Sequence, residues 1–293
     1  MTRRPILISL TALTALALAL PSIPLHLLLF VANLPTSFSS ASWRGIGELE
    51  IRGIQHGSAL RIKAVTIRFD PTLFRGQLAE VRLYGAEGWL SRLENTQSTG
   101  QSLPLRIHRL MVADSTLQLD NLGPGIPTAP LRLGDTTPLL FTDVHFGPNA
   151  KSDSPTVQSA TIERLIFYSP NDPLAPVLAF PKIDIVFTWD ELLHHHIRSL
   201  IISNPTIYLG DDLFAFVDRV QEKKTTPSPS STPYEIGYFS LTDGDLSVSI
   251  YGQPVLPLPV HFAAEQRNLA LSDFTQLQLS TRFTIPPSDL IYP

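Results

Sequence analysis

Leu73–Leu90 reads LFRGQLAEVRLYGAEGWL, and Leu192–Leu209 reads LLHHHIRSLIISNPTIYL; the two align without a gap at a shift of 119 positions. Apolar residues coincide: Leu73 with Leu192, Leu78 with Ile197, Val81 with Leu200, Leu83 with Ile202, Trp89 with Tyr208, and Leu90 with Leu209. The turn-formers Gly85 and Asn204 coincide as well. Self-similarity at a fixed offset marks a repeated structural unit, and it governs how the rest of the chain is read.

The match extends outward. Lys63–Phe69 (KAVTIRF) corresponds to Lys182–Phe187 (KIDIVF), and Glu48–Gly53 (ELEIRG) more loosely to Glu163–Tyr168 (ERLIFY). Ile107–Leu119 (IHRLMVADSTLQL) corresponds to Ile236–Val248 (IGYFSLTDGDLSV) at a shift of 129, and Val-His-Phe occurs at both 144–146 and 260–262. Two β repeats follow, over 42–150 and 155–290. Val65, Ile67 and Phe69 alternate with polar neighbours, as do Val81 with Leu83 and Leu246 with Val248 and Ile250. A period of two predicts strands with one apolar and one polar face. Short connections predict antiparallel pairing, with turns at Asp114–Ser115 and Asp243–Asp245.

Helices are expected only as short pieces. Pro71–Gly76 and Trp189–His195 predict single turns. Asp211–Lys224 predicts a longer helix, capped by Asp211 or Asp212, with Leu213, Phe216, Val217 and Val220 on one face. The following TTPSPSSTP, residues 225–233, predicts a flexible loop.

The N-terminus differs from everything after it. Arg3 and Arg4 precede Ile6–Ala32, 27 residues without a formal charge. As a helix this run is about 40 Å long, enough to cross a hydrocarbon core of about 30 Å. Residues 1–35 are therefore read as a membrane anchor or uncleaved signal, with Arg3 and Arg4 inside and the remainder exported. Pro21 and Pro24 kink such a helix. A cleavable signal with Ile6–Leu20 as its apolar core is the other reading, and it also exports the chain.

Chemistry is not nominated by the sequence. Lys and Arg number 22 against 26 Asp and Glu, a net charge of −4, so nucleic acid is not expected as a partner. With no cysteine there is no disulfide framework, thiolate metal site or Cys nucleophile. Gly-x-Ser-x-Gly, phosphate-loop, dinucleotide and His-Glu-x-x-His signatures are all missing. His194, His195 and His196 read as a polar turn, because adjacent side chains diverge by about 100° on a helix and point to opposite faces on a strand. Asp190 with Glu191 and Asp211 with Asp212 read as helix caps. Trp43, Trp89 and Trp189 read as core or interface aromatics, Trp43 being a candidate for the membrane surface. No catalytic residue, metal or cofactor is expected, and the chain is not read as an enzyme.

The order of parts resembles the AsmA-like bacterial envelope proteins related to TamB. The layout is an anchor, a strand, a Leu-Phe-Arg-Gly turn (Leu73–Gly76; degenerate at Leu193–His195), a strand with a Gly or Asn pause, the helix at Leu213–Val220, a polar Pro-rich break, and the strand pair Ile236–Ile250 around Asp243-Gly244. The resemblance implies a mainly β fold, a repeated antiparallel sheet curled into an apolar groove, with short helices and an N-terminal transmembrane helix. It implies single-pass placement in the inner membrane with the bulk in the periplasm, and a role in phospholipid transport or outer-membrane biogenesis. By position the lining comprises Val65, Ile67, Phe69, Val81, Leu83, Leu110, Val112, Leu117, Leu119, Ile183, Ile185, Phe187, Leu200, Ile202, Leu246, Val248 and Ile250. Members that bridge two membranes are longer, so the expectation is the front part of a longer protein or a short member within an assembly. The alternative is an envelope scaffold that binds a partner protein and carries no lipid.

Overall fold

A computed structural model describes residues 36–70, 77–94, 105–120, 122–146, 156–225, 234–250, 253–270 and 279–283. The expected membrane anchor, the turn Pro71–Gly76 and residues 226–233 of the Pro-rich loop lie outside the described residues. Among the described residues no helix is long and apolar enough to cross a membrane. The chain is mainly β and forms two compact units, Met1–Thr116 with Thr136–Ala150, and Leu117–Asp135 with Lys151–Pro293.

The first unit holds β1 (Thr36–Ser37), β2 (Ser40–Gly45), β3 (Glu48–His56), β4 (Leu60–Arg68), β5 (Gln77–Trp89), α1 (Leu90–Glu94) and β6 (Leu105–Ala113). After β7 (Ser115–Leu119), in which the division falls, and β8 (Ala129–Leu133), the chain returns to the first unit as β9 (Leu139–Phe146). β1 and β2 both pair with β3, and the order continues β3–β4–β5–β6–β9. The β2–β3 turn needs Gly47, whose φ of +77° is open to glycine at little steric cost.

The second unit contains β8, β10 (Gln158–Tyr168), β11 (Pro176–Phe187), α2 (Trp189–Leu193), β12 (His196–Ser203), β13 (Thr206–Leu209), α3 (Asp211–Thr225), β14 (Glu235–Ile250), β15 (Gln253–Ala270) and β16 (Leu279–Phe283). Its order is β8–β10–β11–β12–β14–β15–β16, with β13 between β11 and β14 beyond the end of β12. Thr188 caps α2 through a capping box: its hydroxyl accepts from the Glu191 amide, and the Glu191 carboxylate accepts from the Thr188 amide.

The sheet is mixed, which corrects the expectation of antiparallel pairing throughout. β5 and β6 run parallel, as do β12 and β13 with β14. A parallel partner requires the chain to travel back a dozen or more residues, usually through a helix. Residues 90–104, beginning with α1, and residues 210–234, which contain α3, make those two returns.

Asp114 and Asp243 were expected to turn the chain, and they do not. β14 runs unbroken through Asp243–Asp245, and Asp114 is a one-residue pause between β6 and β7. Both have positive φ, +46° and +53°. They belong to two rows of left-handed residues that cross the sheet, each passing through one strand, at Lys63 or Pro181, that is not left-handed. Gly53 (+63°), Gly85 (+62°) and Asp114 form one row; Arg164 (+58°), Asn204 (+52°) and Asp243 form the other. At each row the ladder skips one position: Arg52 pairs with Ala64 and Ile54 with Ile62, leaving Gly53 and Lys63 between them. The interruption resets the side-chain alternation. Ile51 and Ile54, three apart, therefore join one cluster with Phe38 and Leu49. Ile162 and Leu165 do the same around Arg164, with Ala129 and Ile183.

The Val-His-Phe recurrence is one of composition and not of position. Val144 stands opposite Ile107, whereas Val260 stands opposite Phe283 and the residue facing Ile236 is Leu269.

α3 packs on the second unit through Phe216, 7% exposed, whose ring centroid is 5.8 Å from that of Phe167. The Ser169 hydroxyl donates to the Asp212 carboxylate at 2.6 Å, so Asp212 ties the helix start to the loop after β10. Val217, expected on the inward face, is 40% exposed, and Phe214 is 65% exposed. The inward stripe is Leu213, Phe216 and Val220, with Val217 on its flank.

Candidate functional site

Strand register gathers the apolar side chains into rungs that cross the sheet. In the first unit one rung is Ile51–Val65–Leu83–Val112–Leu139, and the next is Leu49–Ile67–Val81–Leu110–Phe141. Leu49, Ile51, Val65, Val81 and Leu139 are buried; Ile67, Leu83, Leu110, Val112 and Phe141 keep part of their surface in water. In the second unit Leu133–Ile162–Ile183–Ile202–Leu241–Ala264 form one rung. Ala160–Ile185–Leu200–Phe239 form its neighbour.

The other expected lining residues fall elsewhere. Leu246 and Val248 stand opposite Ile207 and Leu209 on β13, apart from those two rungs. Phe69 lies past the end of β4, edge-on to Trp43 with centroids 6.0 Å apart. Phe187 ends β11 edge-on to Trp189, centroids 5.2 Å apart. Leu119 packs on the Ala129 cluster, and Leu117 is half-buried on β7. Ile250 ends β14, and its side chain lies outside the described residues. Several rung members were not nominated from sequence: Leu49 and Ile51 on β3, Leu139 and Phe141 on β9, and Phe239 and Leu241 on β14. The alternation in Glu48–Gly53 carried that signal for the first two.

The opposite face of the first unit is charged. Glu48, Arg68, Glu80 and Arg109 follow one another across β3, β4, β5 and β6. Beside them Arg44 and Arg52 donate to Glu50 at 2.7 and 3.1 Å, and Arg82 donates to Glu80 at 2.7 Å. Burial alone raises the Glu50 pKa, but the Arg52 and Arg44 hydrogen bonds outweigh it and hold the carboxyl below its ordinary range. For Glu80 the Arg82 hydrogen bond is the leading cause of a lowered pKa, against burial. Asp143 is also lowered: burial opposes, while Arg106 and His108 prevail.

A cleft of about 360 Å³ opens where Gly53 and Gly85 leave the charged face without side chains; Arg61, Lys63, Glu87 and Asp114 help line it. Lys63 reaches Asp114 at 3.2 Å there.

The three consecutive histidines take separate neighbours. The His194 ring bonds the Asp190 carbonyl at 2.7 Å, the His195 ring lies tilted at 50° to that of Tyr234 with centroids 4.8 Å apart, and His196 lies beside Gly237. Among the described residues no three His, Asp or Glu side chains converge as a metal set. Trp43 sits near the Gly45 end of β2, far from Thr36, where the described chain begins.

No protein-family model matches the chain, and comparison with curated proteins finds no relative.

Proposed function

We propose that this chain is a membrane-anchored envelope protein whose apolar β face holds phospholipid acyl chains, serving phospholipid transport or outer-membrane biogenesis. The observation that carries the reading is the pair of first-unit rungs crossing five strands in register, with Leu83, Val112, Ile67 and Leu110 still partly exposed. Strands lie about 4.8 Å apart, so a rung spans about 19 Å. One leaflet of a hydrocarbon core is about 15 Å deep, which matches a rung to an acyl chain in length. The unit's described helix, five-residue α1, is about 8 Å long and too short to cover such a face.

Retained apolar surface backed by a charged face is the pattern of a binding surface. The run Ile6–Ala32 behind Arg3 and Arg4 supports anchoring in the inner membrane with the two units in the periplasm. In this reading the sheet curls into a groove around its cargo. No step of chemistry is assigned to it.

Photo-crosslinkers at Leu83 and Val112, against controls at Arg82 and Tyr84 on the other face, test the proposal in the full chain within its membrane. Lipid adducts from the first pair alone are expected. Adducts to protein in place of lipid would replace the reading with that of an envelope scaffold.

A further inference from the structure

The described chain begins at Thr36, and Thr36 stands opposite His56, with its hydroxyl 2.7 Å from the His56 ring. The same end of the sheet carries Leu60, which pairs with His56 and Gly88, and Trp89, whose amide bonds the Ala59 carbonyl at 3.1 Å. Ala32, the last residue of the apolar run, is four residues before Thr36, a reach of at most about 14 Å. The β2–β3 turn at Ile46 is at the other end of β3, about 30 Å away along nine residues of strand. An anchor at Ile6–Ala32 thus brings the Trp89 end to the membrane and leaves the Ile46 turn remote.

At that near end Trp89 is flanked by two cations. The guanidinium of Arg61 is 5.5 Å from the ring centroid, and that of Arg92 is 4.9 Å. Arg92 also donates to the Ser58 carbonyl at 2.7 Å, which holds α1 to the β3–β4 turn. Both arginines are exposed, and Glu87 stands opposite Arg61 on the neighbouring strand. A ring with an apolar body and a polar edge settles at the headgroup level of a bilayer, and guanidinium pairs with phosphate through two parallel hydrogen bonds. Arg61 and Glu87 lie on the charged face here, while Leu60, Ile62 and Ala86 alternate with them on the apolar one.

We propose that Arg61, Trp89 and Arg92 form a docking surface for anionic phospholipid headgroups at the near end of the charged face. The inference rests on the proposed membrane anchoring and lipid reading, and adds to it a place and a headgroup charge. A zwitterionic surface carries no net charge for the two guanidiniums to meet.

The test is hydrogen exchange of the full chain in nanodiscs of phosphatidylcholine with and without phosphatidylglycerol. Segments 56–61 and 87–92 are expected to gain protection only when phosphatidylglycerol is present, while 43–48 stays unchanged. Raising the salt concentration on the unaltered chain should remove the difference. Each cation near an anionic surface contributes about 1 kcal/mol, so Arg61→Gln and Arg92→Gln should each lower the lipid-dependent protection about five-fold. Equal protection in both discs, or protection that appears at 43–48, overturns the proposal. If that happens while crosslinkers at Leu83 and Val112 still capture lipid, the docking surface alone fails. If those crosslinks vanish too, the lipid reading beneath it fails.

Discussion

Gly85 and Asn204, 119 positions apart, hold the same place in their two units. Each follows a residue paired on both sides: Tyr84 with Ala64 and Ala113, and Ser203 with Lys182 and Thr242. Each is left-handed, at +62° and +52°, beside an aspartate that is also left-handed, Asp114 or Asp243. The difference lies in the strand on the other side. A Cβ at Gly85 would come within 2.4 Å of the Lys63 stem, whereas the position facing Asn204 is Pro181, which has no long stem. Asparagine tolerates this backbone region better than most residues, so it serves where the space is free.

Gly85→Ala is therefore expected to cost about 1–2 kcal/mol from backbone strain, plus the displacement of Lys63. In a Lys63→Ala background the two closest contacts disappear, the Cβ contact at 3.0 Å and the strain remain, and the cost falls. Asn204→Gly should stay within about 0.5 kcal/mol. Denaturant unfolding of the four variants checks this; equal costs for Gly85→Ala in both backgrounds would show that the Lys63 stem is not what fixes glycine there.

Glu50 gives the first unit an acid-sensitive point. Its carboxyl is only 6% exposed and bonds two arginines that are 53% and 59% exposed. Its folded pKa is lowered from an ordinary value of 4.5. The folded state thus binds that proton more weakly than the unfolded chain. The stabilisation is complete above about pH 4.5 and is lost as pH falls through the lower folded value. Glu50→Gln should cost about 1–2 kcal/mol at pH 7, because the arginines rehydrate, and should flatten the acid limb of the stability curve. An acid limb left unchanged by Glu50→Gln would assign the acid sensitivity to other carboxylates such as Glu80 or Asp143.

Helix α3 should depend on one ring. Phe216→Ala removes the contact with Phe167 and is expected to cost about 3 kcal/mol. The loop at Gly123 should loosen with it, since a Cβ there would lie 2.5 Å from the Arg219 carbonyl oxygen. Phe214→Ala, at an exposed site, should change stability by less than about 0.5 kcal/mol. Hydrogen exchange of α3 and of residues 122–128 distinguishes the two substitutions.

Alternation was legible along Lys63–Phe69, Gln77–Leu83 and Leu246–Ile250, because side-chain period is a local property. Direction of pairing was not, because it depends on where the chain goes between strands. The helix at Asp211–Lys224 was visible, and its length already implied a return crossover and a parallel partner. Asp243-Gly244 was read as a chain reversal since the same residues serve both uses: they tolerate positive φ in a turn and in an interrupted ladder alike. Gly244 has a further reason that only packing reveals, a Cβ there lying 2.5 Å from the Phe262 ring. The rungs needed register as well. Leu139 and Phe141 could be assigned to them only once β9 was known to pair with β6.

The rungs also separate a binding face from a merely stable one. Leu83 and Val112 are neighbours in one rung, and both keep some exposed surface. If acyl chains lie along that rung, Leu83→Asn places an amide where a chain would run and leaves it without a hydrogen-bonding partner when lipid is bound. An unpaired polar group costs about 1–3 kcal/mol, a loss of about 5- to 150-fold in lipid occupancy. Tyr84→Asn, one residue away on the charged face and 51% exposed, should leave occupancy unchanged. Native mass spectrometry of the full chain released from membranes reads this as the fraction of protein carrying phospholipid. Equal losses from the two substitutions would mean that lipid binding does not depend on the rung face. A loss confined to Leu83→Asn, with the thermal midpoint preserved, would tie occupancy to that rung.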